Sequence, residues 1–538
     1  MTSPNYFERA IYSVGALCLL LIVPVLCFQN WQPGFQSPGA RSGDEPHYLV
    51  MAHSLARDLD LDIANNYSPI RFAEGEQIAA EDRRQPNDEA QSATAGYPQG
   101  VYLTGVPLSR HTNLVPSATS PLKATRATPA GSGGPAKIYR WDEVYEFAPA
   151  PGVDPTGATD ARAAAGARLN YAERFIAQRR PEFADFACAD CREVAWHPPG
   201  YPVLLAVVAY PFLAVGSYWS EFWITLLQIA LYSFALLRVR EVVPLRPVES
   251  PASGSRVGNA GRSRDFFYLA ATATALSAYY FAASIYTEGV TPALLLLAVC
   301  AFARRRPLEI SAYLGVLFFI KESYAPLGPI FACAYWLEHR RLRDLFVMAV
   351  FPLIAFALFL TRNYVFYGSA LQTYYPWASN PEPLAGALGL MFAARKGVLV
   401  FTPVFVFFLA GLWPLARKRP AVALVSGCTF AYFYLLTSAT AYWSGGPTYG
   451  YRLLTPAVAV LTPAFFAWLA MLRAARATMP VRVARVLTLV LLAVSTVNGF
   501  FGATNLDYAY DTETYINLIE PEQSQIYRRF LRWSESAP

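Results

Sequence analysis

The chain has 538 residues, of which 54% are hydrophobic, 15% aromatic and 15% charged. An average soluble domain carries roughly 25% charged residues, so an ordinary water-soluble enzyme is excluded. The formal net charge of +6 is no nucleic-acid signature, because Lys and Arg fall in short clusters between apolar runs, where they mark membrane topology.

The first apolar run, 11–28, follows Arg9 and lacks a convincing small-residue cleavage site, so it reads as a retained span and not as a signal peptide. The segment after it is exported in both cases. Residues 29–218 form a large first extracytoplasmic loop. In it, Tyr48, Leu49, Met51, Ala52 and Leu55 place apolar groups on one side of a helix that starts near Asp44 and Glu45, with Pro46 in the first turn. Such a helix suits a membrane surface. Asp58, Asp60 and Asp62 form a DxDxD run, discounted as a metal site because hard cations need several convergent oxygens.

Residues 116–166 are rich in Pro, Gly, Ala, Ser and Thr, a loop composition. Cys188 and Cys191 form a lone CxxC, readable as a zinc half-site, a redox pair or a disulfide; outside the cytoplasm a disulfide is favoured. The apolar stretch 199–216 reads as a re-entrant or interfacial helix, because a crossing there would invert every later loop. A twelve-span arrangement is the alternative.

The basic clusters 238–264, 304–306, 340–343, 417–419 and 473–485 all belong on the cytoplasmic side. Eleven spans satisfy this: 11–28, 219–237, 266–283, 288–303, 308–321, 324–337, 345–361, 398–416, 420–438, 453–472 and 483–503. The 308–321 and 324–337 segments are short, and a broken pair is the other reading of them. The expected architecture is an all-α polytopic membrane protein of about 11 to 13 transmembrane helices. It divides into the first helix at 1–28, the loop at 29–218, the bundle at 219–503 and an extracytoplasmic tail at 504–538. The N-terminus is cytoplasmic and the chain is a multi-pass protein of the cell (inner) membrane.

This threading collects polar residues near the outer, periplasmic ends of the spans: Asp44, Glu45, His47, His197, Glu288, Lys321, Glu322, Arg362, Arg395, Lys396 and Arg452. A charge inside an apolar helix costs about 2.5–3.5 kcal/mol on insertion scales, which makes Glu288 and Lys321 functional candidates; the alternative for each is a side chain that snorkels to water. Asp44 and Glu45, at a helix N-terminus, would stay ionised and accept a proton from a hydroxyl. Helix capping by Asp44 explains it equally well. Arg362, Arg395, Lys396 and Arg452 are suited to hold a phosphate as negative charge develops on it. No Walker loop, no GxGxxG after a strand and no HExxH helix occurs.

Gly43-Asp44-Glu45-Pro46-His47-Tyr48-Leu49, His197-Pro198-Pro199-Gly200-Tyr201-Pro202, Tyr286-Thr287-Glu288, Trp443-Ser444-Gly445-Gly446 and Gly450-Tyr451-Arg452 together resemble the GT-C superfamily. Its members are membrane glycosyltransferases that include the protein O-mannosyltransferases and the lipid A aminoarabinose transferases. The resemblance spans about residues 8–505. It implies a GT-C-type helical bundle and an inverting transfer of a sugar from a polyprenyl-phosphate donor to a lipid, glycan or protein acceptor.

In that scheme Asp44 matches the catalytic base, with Glu45 as its partner or substitute, and Glu288 matches the acidic position of the second outer loop. Lys321, Arg395 and Arg452 are looser matches to phosphate-binding positions; His47, Tyr48, His197, Arg362 and Lys396 complete the candidate donor site. A divalent cation is left open as a cofactor, with no metal ligands assigned. Membrane lipid is a partner and nucleic acid is not. A Pro/Gly/Ala-rich insertion at 74–190 departs from the compact members. The rival readings are a lipid or glycan transporter and a non-catalytic assembly protein; transporters place charges near mid-membrane and show inverted repeats, neither of which the sequence displays.

Overall fold

A computed structural model describes residues 48, 51–52, 55–56, 198–215, 219–243, 268–282, 284–367, 370–371, 380–394, 396–440, 443–445 and 450–504. Its secondary structure is helical, with no strand among the described residues. Proline sets many of the starts. The helices Thr291–Ala303, Pro307–Ile320, Pro383–Phe392, Pro420–Ser438, Thr455–Ala459 and Thr462–Ala474 each carry Pro in their first two positions, where the missing N–H would have no intrahelical partner anyway. At the other ends of two helices the chain reverses through arginines in the left-handed region, Arg305 at φ 58° and Arg340 at φ 54°.

Among the described residues, four helices are long and apolar enough to cross a membrane: Trp223–Arg240, Leu342–Tyr364, Pro420–Ser438 and Met479–Phe500. They coincide with four of the expected spans. The Leu342–Tyr364 segment leaves Phe346, Leu353 and Leu358 more than half exposed, a surface that water disfavours and hydrocarbon accepts. Three expected spans, 288–303, 308–321 and 324–337, overlap the helices Thr291–Ala303, Pro307–Ile320 and Leu327–His339 of 13, 14 and 13 residues, shorter than the roughly 20 that a full crossing takes. The expected re-entrant stretch 199–216 is the helix Gly200–Val215, which continues through Pro211. The first span, most of the first loop and the C-terminal tail lie outside the described residues.

Three segments read as single spans are broken. Residues 268–275 and Ser277–Ala282 meet at a bend on Leu276. The 398–416 span is three pieces, Val398–Phe401, Phe405–Ala410 and Leu412–Lys418. The 453–472 span is Arg452–Ala459 and Thr462–Ala474, bent by 49°. A break frees backbone groups that hydrocarbon cannot satisfy, and side chains bond to the backbone around the breaks here. Thr402 Oγ1 donates to Ala275 O (3.0 Å), Thr496 Oγ1 to Ala271 O (3.2 Å) and Tyr232 OH to Ala273 O (3.4 Å). The Ser277 N–H donates to Tyr451 OH at 3.4 Å, which also shares a 2.6 Å bond with Thr402 Oγ1. At the Thr402-Pro403 break, Asn498 Nδ2 donates to Val400 O (3.2 Å) and Phe401 O (3.1 Å), and Ser495 Oγ accepts from Val404 N–H (3.1 Å).

The chain folds into two compact units. One comprises the described residues of 225–359 and 376–538; the other comprises those of 30–224 and 360–375. In the second unit Tyr48, Met51, Ala52 and Ala56 are buried, the i, i+3, i+4, i+8 pattern of one helical face. Tyr48 meets Tyr201 edge-on at 5.1 Å between ring centroids, and Trp223 Nε1 donates to Val208 O at 3.0 Å.

Candidate functional site

The first unit gathers non-helical joints at one end of its helices. The turn 284–290 leads into Thr291–Ala303, and the joint 321–326 links Pro307–Ile320 to Leu327–His339. Tyr432 OH donates to Ser323 O at 2.7 Å, and the Tyr324 ring meets Phe433 at 5.1 Å. Those contacts place the second joint against the C-terminal half of Pro420–Ser438. Asn380 Nδ2 donates to Ser438 O at 2.9 Å, and a Cβ on Gly389 would collide with the Trp443 ring, which brings the segments around 380–397 and 439–445 to the same end. Gly445 (φ 73°) and Gly450 (φ 66°) hold left-handed turns, a conformation that glycine adopts without strain, and they flank the approach to Arg452.

At this end lies a buried ion pair. Arg452 Nε donates to Glu288 Oε2 at 3.3 Å, and the two side chains are 9% and 5% exposed. Thr287 Oγ1 donates to the same Oε2 at 3.1 Å. The Arg452 guanidinium stands 3.9 Å from the centroid of the Tyr286 ring, where the negative face of the ring favours a cation. Glu288 sits in the short 3₁₀ turn Thr287–Gly289 and Arg452 opens another, Arg452–Leu454, each just ahead of a helix. Two motifs 164 residues apart in the chain thus share one contact.

Lys396 is 6% exposed, in the turn between Pro383–Phe392 and Val398–Phe401. Half-buried Lys321 ends Pro307–Ile320 in extended conformation (φ −158°). A snorkelling cation keeps its head in water, so the burial of Lys396 and Arg452 speaks against that reading for both. Next to Arg452, burial pushes the Tyr451 phenol up, opposed by its bonds with Ser277 and Thr402; it remains a neutral hydroxyl at physiological pH.

In the second unit, half-buried Arg362 approaches Asn363 Oδ1 at 3.4 Å. Tyr48 packs on Tyr201. Asp44, Glu45, His47, His197, Arg395, Cys188 and Cys191 lie outside the described residues. Among the described residues no three His, Cys, Asp or Glu side chains converge to hold a metal ion.

Gln228 escaped the sequence reading. Its amide, 3% exposed, donates to Ala282 O (3.2 Å) and Ser284 O (2.7 Å) at the start of the turn that carries Glu288. The available signal was a lone amide inside the apolar run Trp223–Arg240, a polar group that burial tolerates only with partners. No protein-family model matches the chain, and neither a curated protein nor a solved structure matches it.

Proposed function

We propose that the chain is an integral membrane glycosyltransferase that moves a sugar from a polyprenyl-phosphate donor to a lipid, glycan or protein acceptor on the extracytoplasmic face. The observation that carries this reading is the buried Glu288–Arg452 pair over Tyr286, at the helix end that also holds Lys321 and Lys396. Cations held inside an apolar bundle, away from water, act on an anion far more strongly than exposed ones.

The reaction needs such groups. The acceptor oxygen bonds to the anomeric carbon while the bond from that carbon to the phosphate oxygen breaks, and the leaving polyprenyl phosphate gains one negative charge. Arg452, Lys396 and Lys321 supply the countercharge. The acceptor's proton passes to a carboxylate, for which Asp44 is the candidate and Glu45 its partner or substitute. Attack from the face opposite the phosphate inverts the anomeric centre. In support, Tyr48 and Tyr201, one residue from each of two of the motifs, pack on each other.

The test is transfer of label from a polyprenyl-phosphate sugar pool in membranes carrying wild type or Asp44→Asn at matched expression. Wild-type transfer that drops at least a hundredfold in the variant is expected, the scale of a lost general base. Equal transfer by both would remove Asp44 as the base. Absence of transfer by wild type across donor pools would shift the reading to a lipid or glycan transporter.

A further inference from the structure

Gln228 touches the Glu288 turn from both sides. Its Nε2 donates to Ala282 O at 3.2 Å and to Ser284 O at 2.7 Å, ahead of Glu288. Its Oε1 faces Gly289, directly after Glu288: a Cβ there would stand 2.5 Å from Oε1 and 2.8 Å from Phe281 O. Ser284 Oγ, donating to Phe281 O at 2.8 Å, draws the same turn tighter. Two carbonyl partners fix which end of the amide is nitrogen. The turn so held presents Tyr286 and Glu288 to Arg452, one by its ring face at 3.9 Å and the other by its carboxylate at 3.3 Å.

We infer that Gln228 is a positioning residue for Arg452: by holding Ala282, Ser284 and Gly289 it makes Glu288 and Tyr286 hold the guanidinium in one orientation, ready for an anionic group of the substrate. The anionic group rests on the polyprenyl-phosphate reading; the relay from Gln228 to Arg452 does not. A charged side chain that must meet a developing charge works only if its support is itself locked by packing and hydrogen bonds. Glu288 in this arrangement orients a cation and is not the proton acceptor of the reaction. The influence of Gln228 on Arg452 passes through this turn, whose backbone the amide holds at Ala282 and Ser284.

Two measurements on the full chain in detergent separate the relay from the substrate reading. The first is the rate at which phenylglyoxal modifies Arg452, read by peptide mass spectrometry. Gln228→Leu removes both donors, and Gly289→Ala pushes the turn away from the amide. Each is expected to speed Arg452 modification at least threefold while the unfolding temperature confirms a folded chain and Arg417, at the far end of the bundle, reacts as in wild type. Wild-type rates at Arg452 in both variants would overturn the relay.

The second measurement is binding of a polyprenyl monophosphate against the polyprenol of equal length, by native mass spectrometry. Wild type should prefer the phosphate, Gln228→Leu should lose about tenfold of that preference, and Gln228→Leu should take nothing further from Arg452→Ala. Preference kept in Gln228→Leu but lost in Arg452→Ala would also overturn the relay. No preference in wild type would overturn the phosphate reading while faster modification in the first experiment upheld the relay.

Discussion

A guanidinium packed on Tyr286 and bonded to Glu288 has exchanged its hydration for a ring face and a carboxylate. Removal of the carboxylate alone takes this counter-ion from a buried charge, at a cost of about 3–5 kcal/mol. Glu288→Ala is therefore expected to lower the thermal unfolding midpoint in detergent strongly, and Glu288→Gln, which keeps an acceptor, to do so less. The double variant Glu288→Ala/Arg452→Met should recover much of the loss, because the charge that Glu288 offsets is removed with it. A double variant less stable than Glu288→Ala would mean that the pair is not what holds this joint. Tyr451→Phe is a separate case. It deletes the acceptor for the Ser277 N–H and a partner of Thr402 Oγ1, and the expected loss is about 1–3 kcal/mol for the backbone donor left unpaired.

The residue scale also shows where sequence reading reaches its limit. Glu288, Lys396 and Arg452 were recognisable as charges beside apolar runs, since their cost in lipid marks them. That Glu288 pairs with Arg452 was not, because the pairing depends on how two helix starts 164 residues apart are brought together. Gln228 was missed for a related reason: an uncharged amide barely disturbs the hydropathy of its run, and its partners are main-chain carbonyls, which sequence does not distinguish.

Among the elements, the unbroken spans were legible and the broken ones were not. Pro420–Ser438 runs between the same residues in sequence and structure, because Pro420 opens it and the apolar run ends with it. The stretch 398–416 has the same apolar character but stops at Thr402 and Gly411. Pro403 has no N–H to donate, and the helix stops ahead of it. What makes the break tolerable is Asn498, supplied by another helix nearly a hundred residues later. Asn498→Leu should leave the Val400 and Phe401 carbonyls without that donor and destabilise the chain by about 2 kcal/mol, near the middle of the range for a buried group left unsatisfied. Amide hydrogen exchange would check the location: peptides spanning 398–406 should exchange faster, with peptides of Thr462–Ala474 unchanged. Uniform acceleration would show that Asn498 supports the whole bundle and not the break.

At the scale of the whole molecule, the first unit separates its charges by end. Glu288, Lys321, Lys396 and Arg452 occupy the joints at one end of the helices, while Arg304–Arg306, Arg340–Arg343 and Arg417–Arg419 occupy the connections at the other. Successive helices carry the chain from one end to the other, so the separation arises from the order of the elements. In a bilayer the second end is expected to face the cytoplasm, because clusters of Lys and Arg in short loops are retained there. The first end then faces outward, the only side on which the proposed donor site would meet an exported acceptor. Substituted-cysteine labelling in intact cells with a membrane-impermeant maleimide reads this directly. Ser444→Cys, in the joint that leads to Arg452, should react without permeabilisation, and Arg341→Cys, exposed at the basic end, only after it. Cys18, Cys27, Cys188 and Cys191 are first replaced by Ser, and the remaining Cys300, Cys333 and Cys428 lie within the helices Thr291–Ala303, Leu327–His339 and Pro420–Ser438, where a charged reagent in water does not reach them. The reverse labelling pattern would place the Glu288–Arg452 pair in the cytoplasm and rule out transfer to an exported acceptor.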